Sequence, residues 1–362
     1  MKMIRQRLAP LVLALCAIGF AALPARAAPS AAAVTAAERA EVIDTIATDL
    51  VGNYVFPDLA EKMAAAIRDQ QHLGRYNELT DGNAFAALLT EQLREVSHDK
   101  HVQIRFVASL DPAERPRDTK QREQAYAFAR SANFGFEKFE RLDQNIAYLE
   151  LRGFIDPTGA ENTVAAAMGM VANADALIID LRRNGGGSPA MVALLSSYLF
   201  DDERVHLSDL YWRSGNRTEQ FWTNPKVAGQ RFGSKKPVYI LTSKETFSAA
   251  EEFAYNLKYL KRAVIVGDTT GGGANPGGRF TFGKNFGGFI PTGRAINPVT
   301  QTNWEGAGVQ PDVAVPADRA LITAQWLATK ALSASISDPL RKEETRKSVA
   351  ALQTQLDGMK KP

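Results

Sequence analysis

The chain has 362 residues, 45% hydrophobic and 23% charged, with a net charge of +3, four histidines and one cysteine. That composition excludes a disordered polymer and suits one large domain with an accessory module, or two ordinary domains. The small positive excess does not come from a basic surface, because it is concentrated at the start of the chain.

Lys2, Arg5 and Arg7 precede an apolar run from Leu8 to Leu23, and Ala25-Arg26-Ala27 follows. This pattern predicts a secretory signal peptide over residues 1–27, cut after Ala27, rather than a membrane anchor. Without those residues the net charge becomes −1, so nothing argues for nucleic acid. Cys16 leaves as well, which removes disulfides, a thiolate nucleophile and cysteine metal ligands. The expected location is the periplasm or outside the cell, with no stable membrane insertion after cleavage.

Residues 28–101 read as an N-terminal helical domain. Val42, Ile46, Leu50 and Val51 recur at helical spacing, as do Phe85, Leu88, Leu89, Leu93 and Val96. Gly74 to Gly82 reads as a connection. Residues 102–144 form a strand and linker: Val102, Ile104 and Phe106 alternate, and 109–132 is charged and broken by proline.

Residues 145–335 carry an α/β pattern. Strands are predicted at 145–151, 176–181, 237–242 and 263–267, and helices at 160–173, 188–200, 248–260 and 317–333. Residues 279–298 read as β-hairpins with glycine turns, and 336–362 as a polar helical tail. His72 and His206 read as solvated.

The stretch 238–242 is a buried-type strand, and Phe247, Ala250, Ala254 and Leu257 follow at near-helical spacing. Ser248 therefore stands at a helix start, where free N–H groups and a positive partial charge favour an anion. Two readings stay open there. Ser248 is an ordinary N-cap, or it is a nucleophile whose oxyanion would meet the Ala249 N–H. The hydrophobic strand 176–181 runs through Arg182-Arg183-Asn184 into Gly185-Gly186-Gly187, which can turn N–H groups toward an anion or simply turn tightly. The later Gly271–Gly278 loop lacks the Gly-Lys-Ser/Thr ending of a phosphate loop and reads as a site wall. His98 and His101 have no third ligand near them in the sequence, so no metal site is expected.

Three stretches together resemble the tail-specific protease family of C-terminal processing peptidases. They are Asp180-Leu181-Arg182-Arg183-Asn184-Gly185-Gly186-Gly187, Thr242 to Glu251, and Asn303-Trp304-Glu305-Gly306-Ala307-Gly308-Val309-Gln310-Pro311-Asp312. The resemblance spans roughly residues 40–335 and is nearest to the branch of tricorn cores and interphotoreceptor retinoid-binding protein repeats. It implies an α/β, crotonase/ClpP-like layered core behind a helical domain. It implies no PDZ domain, since residues 102–144 are too few to hold one.

Carried over by position, the resemblance makes Ser248 the nucleophile, with Gly186 and Ala249 as oxyanion-hole donors. The processing-peptidase branch places a lysine base after the next strand, where Gly273 stands here. The tricorn-like branch uses a histidine and a late glutamate, and Ser97-His98-Asp99-Lys100-His101 with Trp304-Glu305-Gly306 supplies His101 and Glu305. A serine that accompanies the histidine in tricorn is not evident here, and Lys100 stands just before His101. The expected function is an exported serine peptidase acting through a Ser248 acyl-enzyme, with His101 as base and Glu305 as its partner. The substrate would be a peptide or unfolded protein, no cofactor or metal is expected, and an oligomer is compatible. The same fold could instead hold apolar ligands such as retinoids or fatty acids without catalysis. The same triad could also serve an esterase.

Overall fold

The computed structural model describes residues 33–107 and 118–359, so the predicted signal peptide at 1–27 lies outside the described residues. Three helices come first: α1 (Ala36–Asn53), α2 (Pro57–His72) and α3 (Gly82–Ser97). Each begins as local chemistry dictates. Thr35 and Glu38 form a reciprocal cap on α1, Pro57 opens α2, and the Asp81 side chain accepts the Ala84 N–H at α3. Their apolar stripes bury Ile43, Ile46, Leu50, Met63, Ile67, Phe85 and Leu89 in one core. None of the described helices is long and apolar enough to cross a membrane.

That helical core is closed by sheet residues from late in the chain. Strand β1 (Gln103–Phe106) pairs antiparallel with β10 (Phe286–Pro291), which pairs with β9 (Gly277–Phe282). Phe282, Phe286 and Ile290 then pack among the helices. Residues 109–132, expected as a linker, contain a helix instead, α4 (Asp118–Ser131). Among its described side chains only Ala129 is buried, and Tyr126 packs edge-on against Phe134, so the apolar face is too narrow to show as a periodic pattern.

The central sheet has six strands in the order β12-β8-β7-β4-β3-β2. They are β2 (Phe136–Leu142), β3 (Ile146–Leu151), β4 (Ala176–Asp180), β7 (Val238–Thr242), β8 (Val264–Gly267) and β12 (Val313–Ala314). All neighbours run parallel except β2 with β3. Helices cover both faces, so β3, β4 and β7 are buried throughout and read as continuous apolar runs. On one face α5 (Glu161–Val171), α6 (Pro189–Ser197) and α7 (Ala249–Tyr259) cover Leu149, Leu177, Ile179 and Ile240. On the other, Ala320, Ala324 and Ala328 of α8 (Ala320–Ser335) sit on Tyr148, Ile178, Tyr239 and Leu241. The small residues let that helix lie close to the sheet.

A third sheet, β11-β5-β6, comprises β5 (His206–Trp212), β6 (Arg217–Trp222) and β11 (Gly293–Ile296), all antiparallel. The chain ends in α9 (Pro339–Gly358), which buries only Thr345. His206 is not solvated as expected: it stacks on Trp222 with centroids 4.2 Å apart and shares a 2.7 Å hydrogen bond with Asp209.

Candidate active site

Strands β4, β7 and β8 are adjacent and parallel, so the loops that follow them leave the same edge of the sheet. This edge, at the carboxyl ends of the strands, is where α/β sheets build sites. It brings Gly185–Gly187, Ser248 and the Gly271–Gly273 loop together although they are far apart in sequence.

The loops are fastened to one another by their own polar groups. The Ser243 hydroxyl donates to Arg182 O (2.5 Å), the Thr246 hydroxyl to Leu181 O (2.8 Å) and the Phe247 N–H to Asn184 O (3.1 Å). The Asn184 side chain donates to Leu151 O and accepts the Gly186 N–H, both at 2.9 Å. Asp180 and Arg182 are scaffold: the guanidinium grips the carboxylate at 2.6 Å, and Tyr148 donates to the same oxygen at 2.7 Å.

Ser248 has φ 55° and ψ −122°, a conformation strained for a residue with a Cβ. Such strain costs on the order of 1–3 kcal/mol and persists only where surroundings enforce it. Here Glu251 enforces it. Its fully buried carboxyl accepts the Ser248 N–H (2.8 Å), the Thr270 hydroxyl (2.5 Å), and the Gly272 (2.6 Å) and Gly273 (2.9 Å) N–H groups. Burial pushes that carboxyl above its ordinary range, and the four donors pull against the shift. Gly186 has φ 105°, and a Cβ there would lie 2.7 Å from the Ser248 Cβ, so only glycine lets the two loops touch.

The Ala249 N–H, at the first helical position, has no acceptor among the described residues, as helix geometry dictates. Gly187 N–H is likewise free among them, whereas the Gly186 N–H is held by Asn184.

His101 comes from the turn between α3 and β1. Arg94 of α3 donates to Lys100 O (2.6 Å) and Val102 O (2.8 Å), on either side of it. Asp99 Oδ1 accepts the His101 backbone N–H at 2.9 Å. The imidazole packs against Phe247 (centroids 4.6 Å apart) and Phe289 (5.8 Å). Lys100 turns away and donates to Gly271 O at 2.5 Å.

His101 and Ser248 line the same cavity, of about 580 Å³. One atom each of Asp99, His101 and Glu305 lie within 4.8 Å of one another. The His101 Nδ1 and the Glu305 Oε1 are both buried without a hydrogen-bond partner. Asp99 is committed elsewhere: Oδ2 accepts Tyr54 Oη (3.1 Å) and Asn275 Nδ2 (2.9 Å), and Oδ1 stands 3.7 Å from His101 Nδ1, too far for a hydrogen bond. Glu305 Oε2 accepts the Ala274 N–H at 2.5 Å. Burial, and next the Asp99 charge, push the Glu305 carboxyl well above its usual range.

The position of the family lysine is informative. A Cβ on Gly273 would fall 2.2 Å from Phe247 and 2.7 Å from His101 Cε1. Phe247 and the His101 imidazole together occupy the space that a side chain at 273 would need, so any larger residue there would have to displace them. Asp99, Glu251 and Arg94 escaped the sequence reading of the site, because their part lies in hydrogen bonds across distant loops. Only the spacing Asp99-x-His101 hinted at one of them.

A largely parallel sheet that sets a strained serine at a helix start and a histidine on the same cavity is an arrangement compatible with a serine hydrolase. Comparison with known families narrows it. Residues 145–315 match the model of peptidase family S41, and residues 28–142 match the N-terminal domain of that family in eukaryotic IRBP. The chain carries a peptidase family S41 domain preceded by an N-terminal domain of that family. It is 29% identical over 150 residues to a tail-specific protease of Haemophilus influenzae, covering 39% of this chain and 19% of that one. The chain thus spans about a fifth of the length of this curated relative. Among solved structures, a candidate peptidase from Parabacteroides merdae matches with a TM-score of 0.56 at 19% identity, over 80% of this chain and 96% of that one. A lipoprotein from Streptococcus agalactiae matches with a TM-score of 0.52 at 14% identity, over 81% and 96%. These likenesses bear out the mixed α/β core behind a helical region.

Proposed function

We propose that this chain is an exported serine peptidase in which Ser248 forms an acyl-enzyme, His101 is the general base and Glu305 orients the imidazole. The observation that carries this reading is the shared cavity: His101 and Ser248 line it together, one from each half of the chain.

The chemistry follows from the neighbours. His101 takes the Ser248 proton as Oγ attacks the carbonyl, and the imidazolium returns it to the leaving amine. The Ala249 N–H is the first oxyanion donor. The second comes from the glycine run. Gly187 offers a free N–H, whereas Gly186 would first have to release Asn184. Glu305 is assigned as the orienting acid because its Oε1 lacks a partner, as does His101 Nδ1, while both oxygens of Asp99 already accept hydrogen bonds. Asp99 then fixes the backbone of His101. Since the Glu305 carboxyl is raised, activity should climb with pH as it ionises. Export rests on the composition of residues 1–27.

A fluorophosphonate probe tests the assignment. The wild-type protein should be labelled, Ser248→Ala not at all, and His101→Ala at least about a hundredfold more slowly. Equal labelling of all three proteins would sink the proposal.

A further inference from the structure

We infer that the cavity beside Ser248 is a subsite for a large apolar side chain flanking the bond that is cut, formed by Leu210, Trp212 and Phe221 of the β5–β6 hairpin with Phe289 of β10. The inference rests on the hydrolase reading above and adds what the site selects.

Strand alternation puts Leu210 and Trp212 on one face of β5, and the antiparallel register sets Ser208 opposite Phe221 and Leu210 opposite Glu219. These residues therefore share a face, and Leu210, Trp212, Glu219 and Phe221 all line the cavity that holds Ser248 and His101. Phe289 reaches the cavity from β10 and packs beside His101. A cavity of about 580 Å³ lies within the usual range for a site that encloses a ligand group.

Charge decides what fits. Among the described residues no lysine or arginine lines the cavity, so an acidic side chain or a free C-terminal carboxylate finds no cation on that wall. The one carboxylate, Glu219, is already engaged: it accepts Trp212 Nε1–H at 3.3 Å, and the Arg217 guanidinium stands 3.6 Å away. Glu219 is also half exposed, so it offers a basic side chain little beyond what water offers. The apolar wall is what remains, and a buried apolar contact discriminates between substrates by about 10- to 200-fold.

A randomised peptide library digested by the enzyme and sequenced by mass spectrometry tests this. Leu, Phe, Met or Tyr should be enriched at a position adjoining the cut, and Asp, Glu, Lys and Arg depleted there. Phe221→Ala and Trp212→Ala should each lower kcat/KM for an apolar-flanked peptide about 10- to 100-fold. The rate of labelling by a small alkyl fluorophosphonate, which does not reach those side chains, should change less than about threefold. That labelling also shows that each variant is folded. A profile that is flat, or that favours a charged residue at both flanking positions, overturns the subsite while leaving the hydrolase reading intact. Absence of any labelling of the wild type overturns the hydrolase reading, and the subsite with it.

Discussion

A buried acid one turn into the serine helix makes a sharp test of packing. Glu252 of α7 is fully enclosed, faces Ser208, and leaves Oε1 without a partner, so burial pushes its carboxyl up to about 7. Between the ordinary value of 4.5 and about 7, the unfolded chain loses this proton while the folded chain keeps it. Stability must then fall as pH rises through that window, by up to roughly 3 kcal/mol. Glu252→Gln removes the titration. Thermal unfolding should show the variant gaining on the wild type between pH 5 and pH 8, and a gap that does not change with pH would contradict the assignment. Gly273 gives a second test. Gly273→Ala should drive Phe247 and His101 from their positions and lower kcat/KM by about a hundredfold, on the rule that small misplacements of a catalytic group cost that much. Its melting temperature should move far less than its activity.

The turn that carries His101 depends on α3. Arg94 bridges the carbonyls on both sides of the histidine, so Arg94→Met should keep the helix and loosen the turn. We expect kcat to fall about tenfold with little change in KM, the pattern for a lost positioning contact. Equal effects on both parameters would point to a binding role instead.

The same segment shows what the sequence could and could not disclose. Strands β3, β4, β7 and β8 were legible because the sheet interior leaves them mainly apolar, with Glu150 and Asp180 falling near strand ends. The glycine loop and Ser248 were legible as a strand–turn–helix pattern. Strand β2 was not, since most of its side chains face solvent and Lys138, Glu140 and Arg141 interrupt any alternation. Strands β5 and β6 were missed for a related reason: Asp209, Arg217 and Glu219 break the pattern, and Leu210, Trp212 and Phe221 divide their contacts between the cavity and the edge of the main core.

For the molecule as a unit, the sheet separates chemistry from scaffolding. The loops around Ser248 leave the carboxyl ends of β4, β7 and β8. The β2–β3 turn, where Gln144 meets Thr345 and Ser348 of α9, lies at the opposite end of β3. Since α9 buries only Thr345, removing residues 338–362 should lower the melting temperature by a few degrees and leave probe labelling within about twofold. Loss of labelling in a folded truncation would show that the tail reaches the site.

The pairing of β1 with β10 joins a segment made early in synthesis to one made late. A ribosome that has released His101 has yet to make Ser248, and β10 and Glu305 follow later still. Each half-finished chain thus holds the proposed base without the proposed nucleophile, or both without the strand that pairs with β1. On the proposed assignment, a nascent chain that ends before β10 cannot yet hold the two groups in register, so probe labelling should appear only once that strand has been made.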